Sequence, residues 1–412
     1  MSTYTDASLI YYPSGYKAGT AYSLKPTDGS GDLTFTRAST ATRVNESGLI
    51  ESVATGVPRI DYTGGGCGKL LLEPQRTNLA IESETFISWI DGFGSVTLNV
   101  ATSPDGTTNA ASYKDNNTGG TGEVLRYKQI NVDAASAYTF SIFFKSSGLS
   151  QWAYLQATDY NGTIDGFAYF DILNGVVGIN SNLSSTNIEN YGDGWYRCSI
   201  TFIQGVGDTQ VRSQFQVVGG NGTKNVTRNG TNGYYVWGAQ LESGSYPTSY
   251  IPTTTTAVTR VADGATKGSI DSLIGQTEGT IFVDINIDAW DSSSFYFGVY
   301  GGGNEIYFAC VGTGFLRFKH FGGGTTLAQI QQSGFALGRH KLAARYKNND
   351  WAFYVDGVLI GVDTSGTFSG LIGFCSLGYS SPAAYPSNAK YNSAIIFPTA
   401  LSNAELATLT TL

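Results

Sequence analysis

Charge is scarce in this sequence. Only 14% of its 412 residues are Asp, Glu, Lys or Arg, against roughly a quarter in an ordinary globular chain. The basic residues are scattered, and the formal net charge is -8 with a pI near 4.8. Binding a phosphate backbone needs a basic patch, so nucleic acid is not an expected partner. Histidine is nearly absent, with two copies, and the four cysteines (Cys67, Cys198, Cys310, Cys375) lie far apart. There is no C-x-x-C pair or His cluster to hold zinc, and no disulfide framework is expected. Cys198, Cys310 and Cys375 each fall in an apolar alternating run, which favours buried free thiols. Long apolar runs are missing as well. The longest, such as Ala394 to Phe397, span a few residues, so no membrane-crossing helix and no membrane insertion is expected. Residues 1–6 are polar with no apolar stretch behind them, which gives no secretory signal.

What is abundant is glycine (53 residues), tyrosine (26) and phenylalanine (22). That mixture suits short strands joined by tight turns, with hydroxyls and amides covering the wet faces. Alternation supports it. Tyr138, Phe140, Ile142 and Phe144 point one way in one run; Tyr196, Cys198, Ile200 and Phe202 do so in another. Ile281, Val283, Ile285 and Ile287 form a third set, and Phe295, Phe297 and Val299 a fourth. Asn-Gly pairs at 161–162, 174–175, 221–222, 229–230 and 232–233 read as hairpin turns, as does Asp356-Gly357. Ser402 and Glu405 have the spacing of a capping box for a short terminal helix.

The stretch Tyr234 to Asp263 organises the rest. Its first part alternates as a strand, with Tyr235, Trp237, Ala239 and Leu241 on one face and Val236, Gly238, Gln240 and Glu242 on the other. Pro247, Pro252 and four threonines then keep the chain extended. Residues 1–75 show no clean amphipathic period, and a segment of that kind orders against a partner. The expected layout is all-β. It has an extended N-terminal attachment segment over 1–75, an antiparallel β-sandwich over 76–255, a linker over 256–268 and a second antiparallel β-sandwich over 269–412.

Several of these runs carry a resemblance. Leu33 to Arg43, Pro58 to Tyr62, Leu70 to Ala80, Asn190 to Cys198, Trp237 to Glu242 and Tyr250 to Thr254 resemble a module of bacteriophage structural proteins. In that family the part from Arg76-Thr-Asn-Leu onward is similar to jelly-roll carbohydrate-binding modules. The last 140 or so residues, with Tyr354-Val-Asp-Gly and Ala400-Leu-Ser-Asn-Ala-Glu-Leu, resemble the concanavalin A-like lectin/laminin-G superfamily. The resemblance implies a virion protein of a tail-fibre or head-fibre type, assembled in the host cytoplasm and exposed on the particle. It also implies a homo-oligomer, with a trimer ahead of a dimer, docked to other virion proteins through residues 1–75.

Alternation also yields a candidate binding face. Trp152, Tyr154 and Gln156 point away from Ala153, Leu155 and Ala157; Arg212, Gln214 and Gln216 point away from Ser213, Phe215 and Val217. On one sheet these six residues form an open face of aromatics, amides and a guanidinium, which is the chemistry that binds sugars. Rings stack on pyranose C–H faces, and the polar groups bond to hydroxyls. Coverage by a loop or by another subunit is the bland alternative. Trp290, beside Asp288 and Asp291, is a candidate rim contact, and those carboxylates leave calcium open although they lack the loop spacing of a calcium motif. No other cofactor is expected. Tyr379 and Tyr385 are candidate contacts in a Ser/Pro/Ala-rich loop, whereas Trp351 reads as core. His320 and His340 have no neighbour that suggests a catalytic dyad. Gly301–Gly303 and Gly322–Gly324 lack the lysine of a phosphate loop.

The expected function is non-enzymatic binding of bacterial surface polysaccharide for host attachment. The rival is a structural decoration protein whose exposed aromatics are subunit contacts. A third reading is a polysaccharide depolymerase. That chemistry needs two carboxyls across a glycosidic bond. Glu278, Asp284 and Asp288 lack the Glu-x-Asp-x-x-Glu spacing of laminarinase-like enzymes.

Overall fold

The structure is a computed structural model that describes residues 3–17, 19–159, 165–367, 372–379 and 386–412. Its described residues form 34 strands and one α-helix, Asn403–Thr410. Every strand pairing between named strands is antiparallel. The chain is all-β, as expected from its composition and alternation. It divides into two compact units built from separated stretches: residues 44–52 with 76–260, and residues 1–43, 53–75 and 261–412.

The unit centred on 76–260 has two six-stranded sheets. The first runs Gly94–Ala101, Ala110–Asp115, Gly233–Ser243, Ala137–Ser146, Trp195–Ile203, Ser185–Asn190. The second runs Val176–Ser181, Asp165–Asp171, Trp152–Asp159, Gln210–Val217, Val124–Asn131, Ile90–Gly92. Alternation fills the space between them. Tyr138, Phe140, Ile142 and Phe144 from the first sheet and Ala153, Leu155, Ala157, Phe215 and Val217 from the second are all fully or almost fully buried in one core. The strict alternation expected over 234–242 does not hold. Gly238 sits at φ +64° and shifts the register against Ala137–Ser146 by one residue. Tyr234 and Val236 therefore enter the core before it, and Ala239 and Leu241 after it. Trp237 turns to the other face, where it joins Phe143, Trp195 and Tyr250. A side chain at 238 would also meet the Phe143 ring at 2.9 Å.

A buried polar hub ties this unit together. The Asn78 amide donates to the carbonyls of Ala239 (3.0 Å) and Ile251 (2.8 Å) and accepts from the N–H groups of Ala80 and Leu241. Glu242, fully buried, accepts from the Thr248 hydroxyl (2.6 Å), the Thr248 N–H and the Gln240 amide. Arg197 donates to the Thr248 carbonyl, and Arg260 to the hydroxyls of Thr248 and Ser249. Satisfied on this scale, buried polar groups specify one arrangement of the core.

The other unit is one continuous 16-stranded sheet whose two halves face each other across a core. Phe308 and Phe353 lie 5.6 Å apart between ring centroids, and Phe318 and Trp351 6.3 Å. Trp351 is core, as expected. The terminal helix begins with the expected capping box at Ser402 and Glu405. It covers the outer face of one half of the sheet through Leu406 and Leu409. The expected hairpin also forms, with Asp356 and Gly357 between Trp351–Val355 and Val358–Asp363.

Two expectations about layout are corrected here. Residues 1–75 are not a free extended segment. Leu9–Lys17, Thr20–Lys25 and Leu33–Thr36 are neighbouring strands in the middle of this sheet, paired on one side with Ala389–Phe397 and on the other with Gly264–Gly268. Residues 256–268 are not a free linker either. Val258–Arg260 pairs with Arg76–Asn78, and Gly264–Gly268 is a strand of the 16-stranded sheet. The reason is chemical. Arg37, Arg59, Glu73 and Asp263 form a fully buried ionic group, with Arg59 on both Glu73 (2.7 Å) and Asp263 and Arg37 on Asp263 (3.1 Å). Two cations and two anions compensate one another only while all four are in place.

Candidate functional site

Trp152, Tyr154, Gln156, Arg212, Gln214 and Gln216 come together on one face of one sheet. Strand Trp152–Asp159 pairs with Gln210–Val217 so that Tyr154 opposes Gln216 and Gln156 opposes Gln214. Directly opposed residues share a face, and this is the face turned away from the core. The next strands extend it. Tyr169 and Phe167 oppose Tyr154 and Gln156 on one side. Leu125 and Tyr127 oppose Gln216 and Gln214 on the other.

The face is layered rather than open. Tyr154, Gln156, Gln214 and Gln216 are buried, while Trp152, Phe167, Tyr127 and Arg212 are half-buried. The expectation that Tyr154 and the three glutamines lie exposed is corrected by their neighbours. Tyr154 packs against Phe167 (5.7 Å, stacked) and edge-on to Tyr169 (4.8 Å). Lys224, from the loop after Gln210–Val217, places its Nζ 5.0 Å over the Tyr154 ring and 5.6 Å over Phe167. Trp152 lies across Gly178, where any β-carbon would come within 2.6 Å of its ring. The Arg212 guanidinium carbon lies 3.9 Å over the centre of the Tyr127 ring.

Hydrogen bonds run across the floor and then stop. The Gln214 amide donates to the Gln156 carbonyl (2.5 Å), and the Gln156 amide donates to Asp165. The Gln216 amide reaches Glu123 at 3.5 Å. The Tyr154 hydroxyl, the Gln216 side-chain oxygen and Arg212 Nε have no hydrogen-bond partner among the described residues. Burial pushes the Tyr154 hydroxyl far above its usual range, helped by Tyr169, Asp165 and Glu123, so it stays a neutral donor. Buried polar groups left unpaired are costly, and here they point to the same face as half-buried rings. Such a surface can stack a flat apolar ring face and hydrogen-bond to groups on its rim.

The remaining sequence candidates lie elsewhere. Trp290 is half-buried against the core of the other unit. Its neighbours Asp288 and Asp291 each have a partner, Lys390 at 3.0 Å and the Ser294 hydroxyl at 2.9 Å. Among the described residues no group of three or more His, Cys, Asp or Glu is arranged to hold a metal. Tyr379 is not a free loop aromatic. Its ring lies against Gly264, and its hydroxyl bonds to Thr36 and Thr266. Tyr385 and the Asn161-Gly162 turn lie outside the described residues. The three carboxylates weighed for catalysis are each ion-paired: Glu278 with Lys347, Asp284 with Arg339 and Asp288 with Lys390.

Sequence reading missed Tyr127, Phe167, Tyr169 and Lys224. The first three had a signal. Phe167 and Tyr169 alternate with the core residues Ala168 and Phe170, and Tyr127 alternates with Arg126 and Lys128. Lys224 had none, because a loop returning over a sheet leaves no local pattern.

The chain matches no protein-family profile, and no curated protein sequence is similar to it. Some solved structures superpose on part of it. The CBM40 of Ruminococcus gnavus IT-sialidase bound to alpha2,3 sialyllactose is 15% identical, with a TM-score of 0.30, over 34% of this chain and 84% of its own. The NanB sialidase from Streptococcus pneumoniae is 14% identical, with a TM-score of 0.31, over 35% and 26%. A heptameric SAP-like pentraxin from Limulus polyphemus is 13% identical, with a TM-score of 0.26, over 32% and 68%. Likenesses this slight say nothing about what this chain binds.

Proposed function

We propose that the chain is a non-enzymatic appendage protein of a phage particle and binds bacterial surface glycans through the face around Trp152. The virion setting rests on the sequence motifs of the first 80 residues and of 190–254. The binding reading rests on one observation: half-buried rings at Trp152 and Phe167 beside a buried polar floor in which the Tyr154 hydroxyl and the Gln216 oxygen lack partners among the described residues. A pyranose face would stack on the half-buried Trp152 ring while its hydroxyls bond to groups at the rim, since the Tyr154 hydroxyl and the Gln216 oxygen are themselves fully buried. Arg212, Gln156 and Gln214 position the floor. The ion pairing of Glu278, Asp284 and Asp288 favours a binding role over hydrolysis. Weak single sites would be strengthened by copy number in a homo-oligomer.

The test is a glycan array and host-cell binding assay with the full chain beside Trp152→Ala. A fragment starting at residue 76 is unsuitable, because it lacks three strands from the middle of the second unit's sheet. Saturable binding that Trp152→Ala weakens about tenfold or more, with unchanged circular dichroism, is the expected result. A folded full chain that binds neither glycans nor cells would refute the reading. The outcome would then favour structural decoration, which has its own support in the burial of Tyr154, Gln156, Gln214 and Gln216.

A further inference from the structure

The unit containing 261–412 carries a cleft, of about 340 Å³, on the outer face of its sheet. Three pairings build it. Phe374 opposes Tyr300, Tyr300 opposes Glu305, and Glu305 opposes Phe321. One cross-strand row therefore reads ring, ring, carboxylate, ring, with Gly301, Gly303 and Asn304 completing the lining. A bulge backs Tyr300 with a further ring. Phe295 was expected to share the core face with Phe297 and Val299, but the register shifts between Phe295 and Phe297. Phe295 therefore packs outside, 5.7 Å from Tyr300 and 4.8 Å from Tyr307.

Glu305 is the unusual member. It is half-buried among these rings, and its carboxylate has no hydrogen-bond or ion-pair partner among the described residues. Burial raises its pKa above the usual carboxylate value, with Lys319 opposing. Lys319 itself forms no ion pair with it; its Nζ lies 5.1 Å over the Phe321 ring. Aromatic rings beside a carboxylate that no cation contacts attract positive charge twice, through the ring quadrupoles and through the carboxylate.

We propose that this cleft binds a compact organic cation, an alkylammonium head group held by Glu305 and the faces of Tyr300, Phe321 and Phe374. The site is separate from the Trp152 face and does not depend on the glycan reading. Two sources share this chemistry: a quaternary ammonium such as choline, and the primary amine of an amino sugar. The test is titration of the full chain, followed by ligand-observed NMR. One arm compares choline with its uncharged isostere bearing a tert-butyl group. The other compares glucosamine with N-acetylglucosamine. At least one cation should bind about tenfold or more tightly than its neutral counterpart. Glu305→Gln should erase that preference, Phe321→Leu should weaken it, and Trp152→Ala should leave it unchanged. The arm that responds identifies the source. Equal binding of both members of each pair, no binding by the folded chain, or a preference that survives Glu305→Gln would overturn the proposal.

Discussion

His320 and His340 belong to one unit but titrate in opposite directions. Burial holds His320 down to about 4, with its Nε2 on Asn304 at 3.0 Å and its ring 4.9 Å from that of Trp351. Burial alone would lower His340 too. Its hydrogen bonds to Asp356 (2.7 Å) and the Ala336 carbonyl outweigh that and raise it above 6.5. The signs follow from proton linkage. Between pH 6.5 and about 4 the unfolded chain takes up a proton at His320 that the folded chain refuses, so acidification costs stability on the order of 3 kcal/mol. His340 contributes stability that is fully present below pH 6.5 and is lost as pH rises through its raised value. Urea unfolding across pH 4–9 should therefore show a smaller acid loss in His320→Gln than in the native chain, and a smaller alkaline loss in His340→Gln. Identical profiles for all three proteins would contradict both assignments. Neither histidine was legible as a switch in the sequence, because Asn304 and Asp356 are each 16 residues away.

Local elements were the most readable part of the chain. The Asp356-Gly357 hairpin and the Ser402/Glu405 cap form because their bonds close within a few residues, so their chemistry is written in adjacent positions. Bulges escaped for the opposite reason. An extra residue at Gly238 or between Phe295 and Phe297 is recognised only through the partner strand. Both bulges matter, since one sends Trp237 away from its core and the other sends Phe295 outside its own, against Tyr300 and Tyr307. Gly238→Ala tests the first. With φ at +64° and the Phe143 ring 2.9 Å from the new methyl carbon, it should destabilise its unit by on the order of 2 kcal/mol. Denaturant unfolding followed by tryptophan fluorescence would measure the change. A neutral effect would mean that the bulge can relax into regular pairing.

At the scale of the whole molecule, the N-terminal strands decide the architecture. They sit between Gly264–Gly268 and Ala389–Phe397 in the sheet order, so deleting residues 1–36 would leave two unpaired edges in the middle of a sheet. Limited proteolysis of that deletion should spare a fragment spanning 76–260 and digest 261–412. Equal protection of both would show that the C-terminal strands can close without them. The motifs through which the sequence resembles a known module include Arg37, Arg59, Asn78, Arg197, Gln240 and Glu242. These residues lie in buried ionic and hydrogen-bonded groups, not on the candidate binding face. They report the scaffold. The sequence by itself determined the all-β class and the inward and outward sets along most strands, including the two sets of three around Tyr154 and Gln214, because side-chain direction alternates along any strand. Only tertiary structure decided which distant strands became neighbours, how deeply Tyr154 and the glutamines were buried, and where an unpaired Glu305 met three rings. Those outcomes depend on pairings between residues far apart in the chain, and alternation carries no information about partners.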